Sequence, residues 1–200
     1  MITRLGVCFV LLMPGTALAH SPIKGMGNFF NGILHPLFVP AHVLLVVALG
    51  LLIGQQGVRR NLAAVWAYAG GVLAGLLLAG VGASLFDAQF QELAVLAAAV
   101  GVGLLVVFSA PVLPFLLALL GSLAGLLLGL DSPQAELVGR ARSVALFGSW
   151  VGLYLLLLYP MAMAESFTRH PWLRVGVRIL GSWITATALL VLALLFAPVS

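Results

Sequence analysis

FFNGILHPLFVPAHVLLVVALGLLIG, residues 29–54, contains no Asp, Glu, Lys or Arg. A helix needs about 20 apolar residues to cross the hydrocarbon core of a bilayer, and this run exceeds that. Five more apolar stretches follow, over 62–86, 93–109, 112–130, 143–164 and 175–197. None alternates with the two-residue period of a membrane barrel strand. In lipid every backbone polar group must be bonded internally, so helices are the remaining solution. The expected fold is therefore all-α, a polytopic membrane helical bundle of about six transmembrane helices in one domain over 20–200.

Composition agrees with that reading. Hydrophobic residues make up 63% of the 200 and charged ones 7%, with a mean hydropathy of +1.23. Soluble domains carry about 25% charged residues, so lipid must be the solvent for most of this surface. Disorder, nucleic-acid binding and a disulfide scaffold are excluded at this step. No G-x-x-x-x-G-K-[ST] loop is present, so the chain contains no ATPase of its own. It reads as a non-enzyme without an organic cofactor.

The N-terminus has the form of a secretory signal. Arg4 precedes an apolar run over 5–12, Pro14-Gly15 breaks it, and Ala17-Leu18-Ala19 is a small-x-small cleavage site. Cleavage after residue 19 removes Cys8, the only cysteine, and makes His20 the new N-terminus. Orientation follows from the basic residues, which concentrate in cytoplasmic loops. Arg59 and Arg60 in the first loop and Arg169, Arg174 and Arg178 near the fifth fall on one side of a six-span chain. Asp87 and Glu92 occupy the opposite, outer side. Arg140 and Arg142 depart from the rule, in the company of Asp131 and Glu136. Both mature termini are thus expected outside, the side to which a signal would deliver His20.

Within the spans, small residues recur every four positions: Ala67, Gly71 and Gly75; Gly121, Gly125 and Gly129; Gly148 and Gly152. Such stripes let neighbouring helix backbones approach closely.

Polar side chains at membrane depth are costly and face cavities or pathways. They gather at the head of the first run. On a helix Asn28, Asn31, His35 and His42 would share one side. His35 and His42 would then be about 10.5 Å apart along a straight axis, too far to share an ion bonded to imidazole at about 2.0–2.1 Å. Pro36 and Pro40 open a second arrangement, because proline interrupts a helix and a kink would bring the rings together. Either way the imidazoles suit a transition metal such as Zn, Cu, Fe or Ni, and the lack of thiols argues against soft Cu(I).

This segment resembles the HupE/UreJ family, secondary nickel permeases that accompany hydrogenases and ureases. The resemblance covers the signal ending in Ala-His, the six-span plan and a first-span motif, His-Pro-x-x-Gly-x-Asp-His. The corresponding residues here are His35-Pro36-Leu37-Phe38-Val39-Pro40-Ala41-His42. Both histidines and the proline match; the glycine is Val39 and the aspartate is Ala41, which removes the negative charge expected beside the ion. The resemblance implies a multi-pass protein of the bacterial cytoplasmic membrane. Its partners would be the lipid bilayer, a divalent metal ion as cargo (Ni, with Cu, Co or Zn as alternatives) and a metalloenzyme or accessory protein.

Further metal-site candidates are Asp87, at the outer end of the second span, and His20, whose ring and α-amino group would form a chelate. Asn28, Asn31 and His20 would receive the ion outside, and His35 with His42 would carry it inward. Ligation needs neutral imidazoles, so uptake should weaken as pH falls through the histidine range near ~6.5. Glu165, four residues before Arg169, reads as half of a helix-end ion pair. Two other functions use the same residues: a non-transporting metal-binding subunit or assembly factor, and a haem-binding electron-transfer subunit with His35 or His42 as axial ligand. A strong visible absorption band would mark the haem case.

Overall fold

The computed structural model describes residues 25–80, 87–132 and 137–197; the signal expected at 1–19 and His20 lie outside them. Seven α-helices make up this part: α1 Asn28–Leu34, α2 Pro40–Gln55, α3 Leu62–Gly80, α4 Ala88–Phe108, α5 Pro114–Leu130, α6 Gly139–Phe167 and α7 Pro171–Leu195. Short 3-10 turns cover His35–Phe38 and Arg59–Asn61. Among the described residues there is no β-strand.

Among the described residues four helical segments are long and apolar enough to cross a membrane: Arg59–Ala79, Ala88–Phe108, Gly139–Phe167 and Pro171–Leu195. A fifth crossing is available if the bent pair Asn28–Phe38 and Pro40–Gln55 counts as one span. The protein is a multi-pass membrane helical bundle. Two of the six expected runs are broken or shortened. The first run is broken by a 79° bend. The fourth shortens to 17 residues, because Pro114 cannot donate to a preceding turn and holds Leu113 extended, at φ −62 and ψ 139.

Helix α2 is the centre of the bundle. Eleven of its sixteen residues are buried, and it touches α4, α5, α6 and α7. On the other helices many large apolar side chains point outward, as Trp66, Leu77, Phe115 and Trp183 do. That distribution suits a lipid solvent, where an apolar exterior costs nothing.

The stripes of small residues form the helix contacts. Helices α3 and α5 run parallel: a Cβ on Gly71 or Gly75 would collide with the Ser122 or Leu126 carbonyl. One on Gly121, Gly125 or Gly129 would meet the carbonyls of Ala64, Tyr68 and Val72. Helix α6 carries two such seats. Gly148 and Gly152 receive the α1 backbone at Phe29 and Ile33, while Gly50 and Gly54 of α2 lie against Leu157, Pro160 and Met161. One continuous helix thus supports both halves of the broken pair.

The ends of the bundle differ in charge. Arg59 and Arg60 precede α3, and Arg169 and Arg174 flank the α6–α7 junction at the same end. Asp87, Glu92 and Asp131 lie at the other end, with the head of α2. Arg142, which departs from the loop-charge rule, has a local partner there: its Nη2 donates to the Ala79 carbonyl of α3 at 2.8 Å. A cation at the C-terminal end of a helix is favourable.

Candidate metal centre

The chain break that bends the first span follows from two prolines. Pro40 has no N–H to continue a helix, and its ring would clash with the carbonyl four residues back. It also pushes the residue before it out of the helical region; Val39 is extended, at φ −107 and ψ 101. Pro36 sits where it is tolerated, at the start of the 3-10 turn. Helix α2 then restarts, with the His42 and Val43 N–H groups both bonding the Val39 carbonyl, at 3.0 and 3.2 Å.

His35 therefore closes α1 while His42 lies in the first turn of α2, and both are buried. Their ring centroids are 6.3 Å apart and their planes lie at 81°. The straight-helix arrangement would have held them about 10.5 Å apart; the kinked alternative is the one adopted. His42 is wholly buried, and its Nε2 is 2.8 Å from Asp131 Oδ2. Asp131 directly follows α5 and is 19% exposed. It lines a cavity of about 330 Å³ with Val39, Pro40, Ala41 and Glu92. The carboxylate joins this cavity to the buried imidazole.

The other expected site residues are placed as follows. Asn31 is buried on α1, and its Nδ2 donates to the Met26 carbonyl at 2.8 Å, folding the entry segment back onto the helix. Asn28 is half-buried as the first residue of α1. Asp87 caps α4: its Oδ1 accepts from the Phe90 N–H at 2.6 Å. This cap starts α4 at Ala88, ahead of the expected 93. Glu165 accepts the Val58 N–H at 3.3 Å, where an ion pair with Arg169 was expected. His170 is the exposed N-cap residue of α7.

Among the described residues no group of three or more His, Cys, Asp or Glu side chains could hold a metal ion. Asp131 meets His42 on a ring nitrogen, so it is a partner of that imidazole and not a third ligand at the same point. The structure therefore assembles two imidazoles backed by one carboxylate. In the sequence Asp131 stands out only as company for Arg140 and Arg142. The available signal was depth, since Asp131 ends the fourth apolar run on the side where the first run begins.

The profile of a family described as HupE / UreJ protein matches residues 8–191. The chain belongs to the HupE/UreJ family. HupE/UreJ proteins are permease-like accessory membrane proteins associated with nickel and cobalt handling, rather than a catalytic family. No curated protein and no solved structure matches the chain. Within the HupE/UreJ match lie the bent first span, both histidines and Asp131.

Proposed function

We propose that this protein is a secondary permease for a divalent transition metal, nickel foremost, supplying a metalloenzyme. The observation that carries the reading is the proline-broken first span, which brings two buried imidazoles to a centroid separation of 6.3 Å. With metal–nitrogen bonds of about 2.0–2.1 Å, an ion lies roughly 3.2 Å from each ring centroid, so two rings up to about 6.4 Å apart can share it. A resident zinc site is closed by four ligands. A pair of imidazoles leaves the ion exchangeable, as a transport site requires. Neutral nitrogen ligands suit nickel, with cobalt, copper and zinc as competitors.

The cavities support passage by conformational change and not through an open pore. One of about 330 Å³ lies at the head of α2. Another, of about 410 Å³, lies at its foot among Gln55, Gln56, Ser109, Thr168 and Arg174. Leu45, Leu49 and Leu52 fill the middle of α2 and are fully buried. In this reading Asn28, Asn31 and His20 receive the ion, and His35 with His42 bind it at membrane depth. The decisive measurement is uptake of radiolabelled Ni²⁺ into proteoliposomes. Accumulation above protein-free vesicles supports the permease. Binding without accumulation supports a metal-holding subunit or assembly factor instead, a reading favoured by the packed middle of α2.

We further propose that the protein resides in the bacterial cytoplasmic membrane with the acidic end, and both mature termini, outside. The segregation of Arg59, Arg60, Arg169 and Arg174 to one end supports this orientation. Mass spectrometry of the mature protein should find His20 first. A chain that still begins at Met1 would remove the terminal chelate from the entry route.

Asp87 is assigned to capping α4 rather than to the ion. Asn caps a helix as well as Asp does, so Asp87→Asn removes the charge and keeps the cap. Unchanged Ni²⁺ uptake is expected. A loss as large as that of a histidine substitution would return Asp87 to the metal path.

A further inference from the structure

We infer that Asp131 is the positioning residue of the centre: its carboxylate fixes the tautomer of His42 and makes Nδ1 the ligating atom. This rests on the permease reading for its ligand and adds the residue that orients the imidazole. A carboxylate accepts hydrogen bonds and does not donate them. The 2.8 Å contact between His42 Nε2 and Asp131 Oδ2 therefore puts the hydrogen on Nε2. A neutral imidazole has one N–H, so its Nδ1 carries a lone pair. That atom is buried and has no hydrogen-bond partner among the described residues. Buried polar atoms are almost always satisfied, and a buried imidazole lone pair that meets no protein donor is a nitrogen able to bind a metal ion. Metal-bound histidines commonly give their other N–H to a carboxylate, which orients the ring and raises its basicity.

The carboxylate is held by backbone packing and not by a flexible loop. The Asp131 N–H bonds the Leu127 carbonyl at 3.1 Å, and the next residue, Ser132, bonds the Leu128 carbonyl through Oγ at 2.6 Å. Helix α5 is itself seated on α3 by Gly121, Gly125 and Gly129. The backbone that carries the Asp131 carboxylate is thus held at a helix end. Ala41 and Asp131 line the same cavity. The negative charge that position 41 lacks is delivered to the next residue, His42, from 89 residues further along the chain.

A purely structural His–Asp tie would also join α5 to α2, so stability alone does not separate the two roles. The tautomer does. Histidine-labelled full-length protein in detergent should show, in a long-range ¹H–¹⁵N spectrum without metal, His42 protonated on Nε2. Added Zn²⁺, a diamagnetic probe, should shift its Nδ1 resonance. A metal-free His42 protonated on Nδ1, or a Zn²⁺ shift at Nε2, overturns the inference, and neither observation needs a variant that folds. Asp131→Asn keeps the volume and removes the charge; its Ni²⁺ affinity should fall about 10- to 100-fold with the thermal midpoint near wild type. If His42→Gln abolishes Ni²⁺ binding while Asp131→Asn leaves affinity and tautomer unchanged, this inference fails and the permease reading stands. If His35→Gln and His42→Gln both bind Ni²⁺ normally, the permease reading itself fails.

Discussion

His42→Gln is expected to abolish Ni²⁺ uptake by the reconstituted protein while leaving its thermal midpoint close to wild type. Glutamine has a similar reach and still offers a donor to Asp131, so the link between α2 and α5 survives the change. The stability at stake is small, because interhelical hydrogen bonds in membranes average only about 0.6 kcal/mol. What glutamine lacks is an imidazole lone pair able to bind a transition metal. His35→Gln should behave in the same way from the other side of the break. The double variant should be little worse than either single one, since ligands of one site fail together and their effects do not add. If both single variants transport normally, the histidines only join helices and the mechanism is wrong.

The contrast between what the sequence disclosed and what it withheld follows chain distance. The helix contacts were legible because a four-residue repeat such as Gly121, Gly125 and Gly129 is a local pattern with one geometric meaning: a smooth stripe along one face. The break at Pro36 and Pro40 was legible as one of two arrangements. The 79° bend was not, because it is set by how α1 and α2 both seat on α6. The start of α4 at Ala88 has a local signal of its own, since a short acidic side chain ahead of a helix is a cap, and Asp87 is one. Asp131 is the opposite case. Nothing within several residues of it points to His42, and only the parallel docking of α5 on α3 brings the end of one run to the head of another. On the proposed role of Asp131, the charge that the first-span motif lacks at Ala41 comes from an acid 89 residues beyond His42.

Seating of α1 should matter to transport as much as the ligands do, and Gly152→Val tests this without touching them. Gly152 lies under the Ile33 carbonyl, so closely that an added Cβ would collide with the oxygen and lie 2.9 Å from the Ile33 Cα. These are backbone atoms and have no alternative rotamer. Helix α1 must lift off α6. His35 caps that helix, so the lift carries its ring away from His42 and opens the pair. Overpacking of this kind costs about 1–3 kcal/mol, and it acts only at the α1–α6 seat. The glycine contacts of α3 with α5, and of Gly50 and Gly54 with α6, are left intact. The variant should therefore insert and keep its helix content while losing most Ni²⁺ binding and uptake. Gly101→Ala is the matched control: a Cβ there meets nothing within 4 Å, and alanine is the better helix former by about 1 kcal/mol, so transport should be unchanged. Wild-type uptake by Gly152→Val would mean that His35 does not work from the end of a seated α1, and that the short distance between the two rings is not what binds the ion.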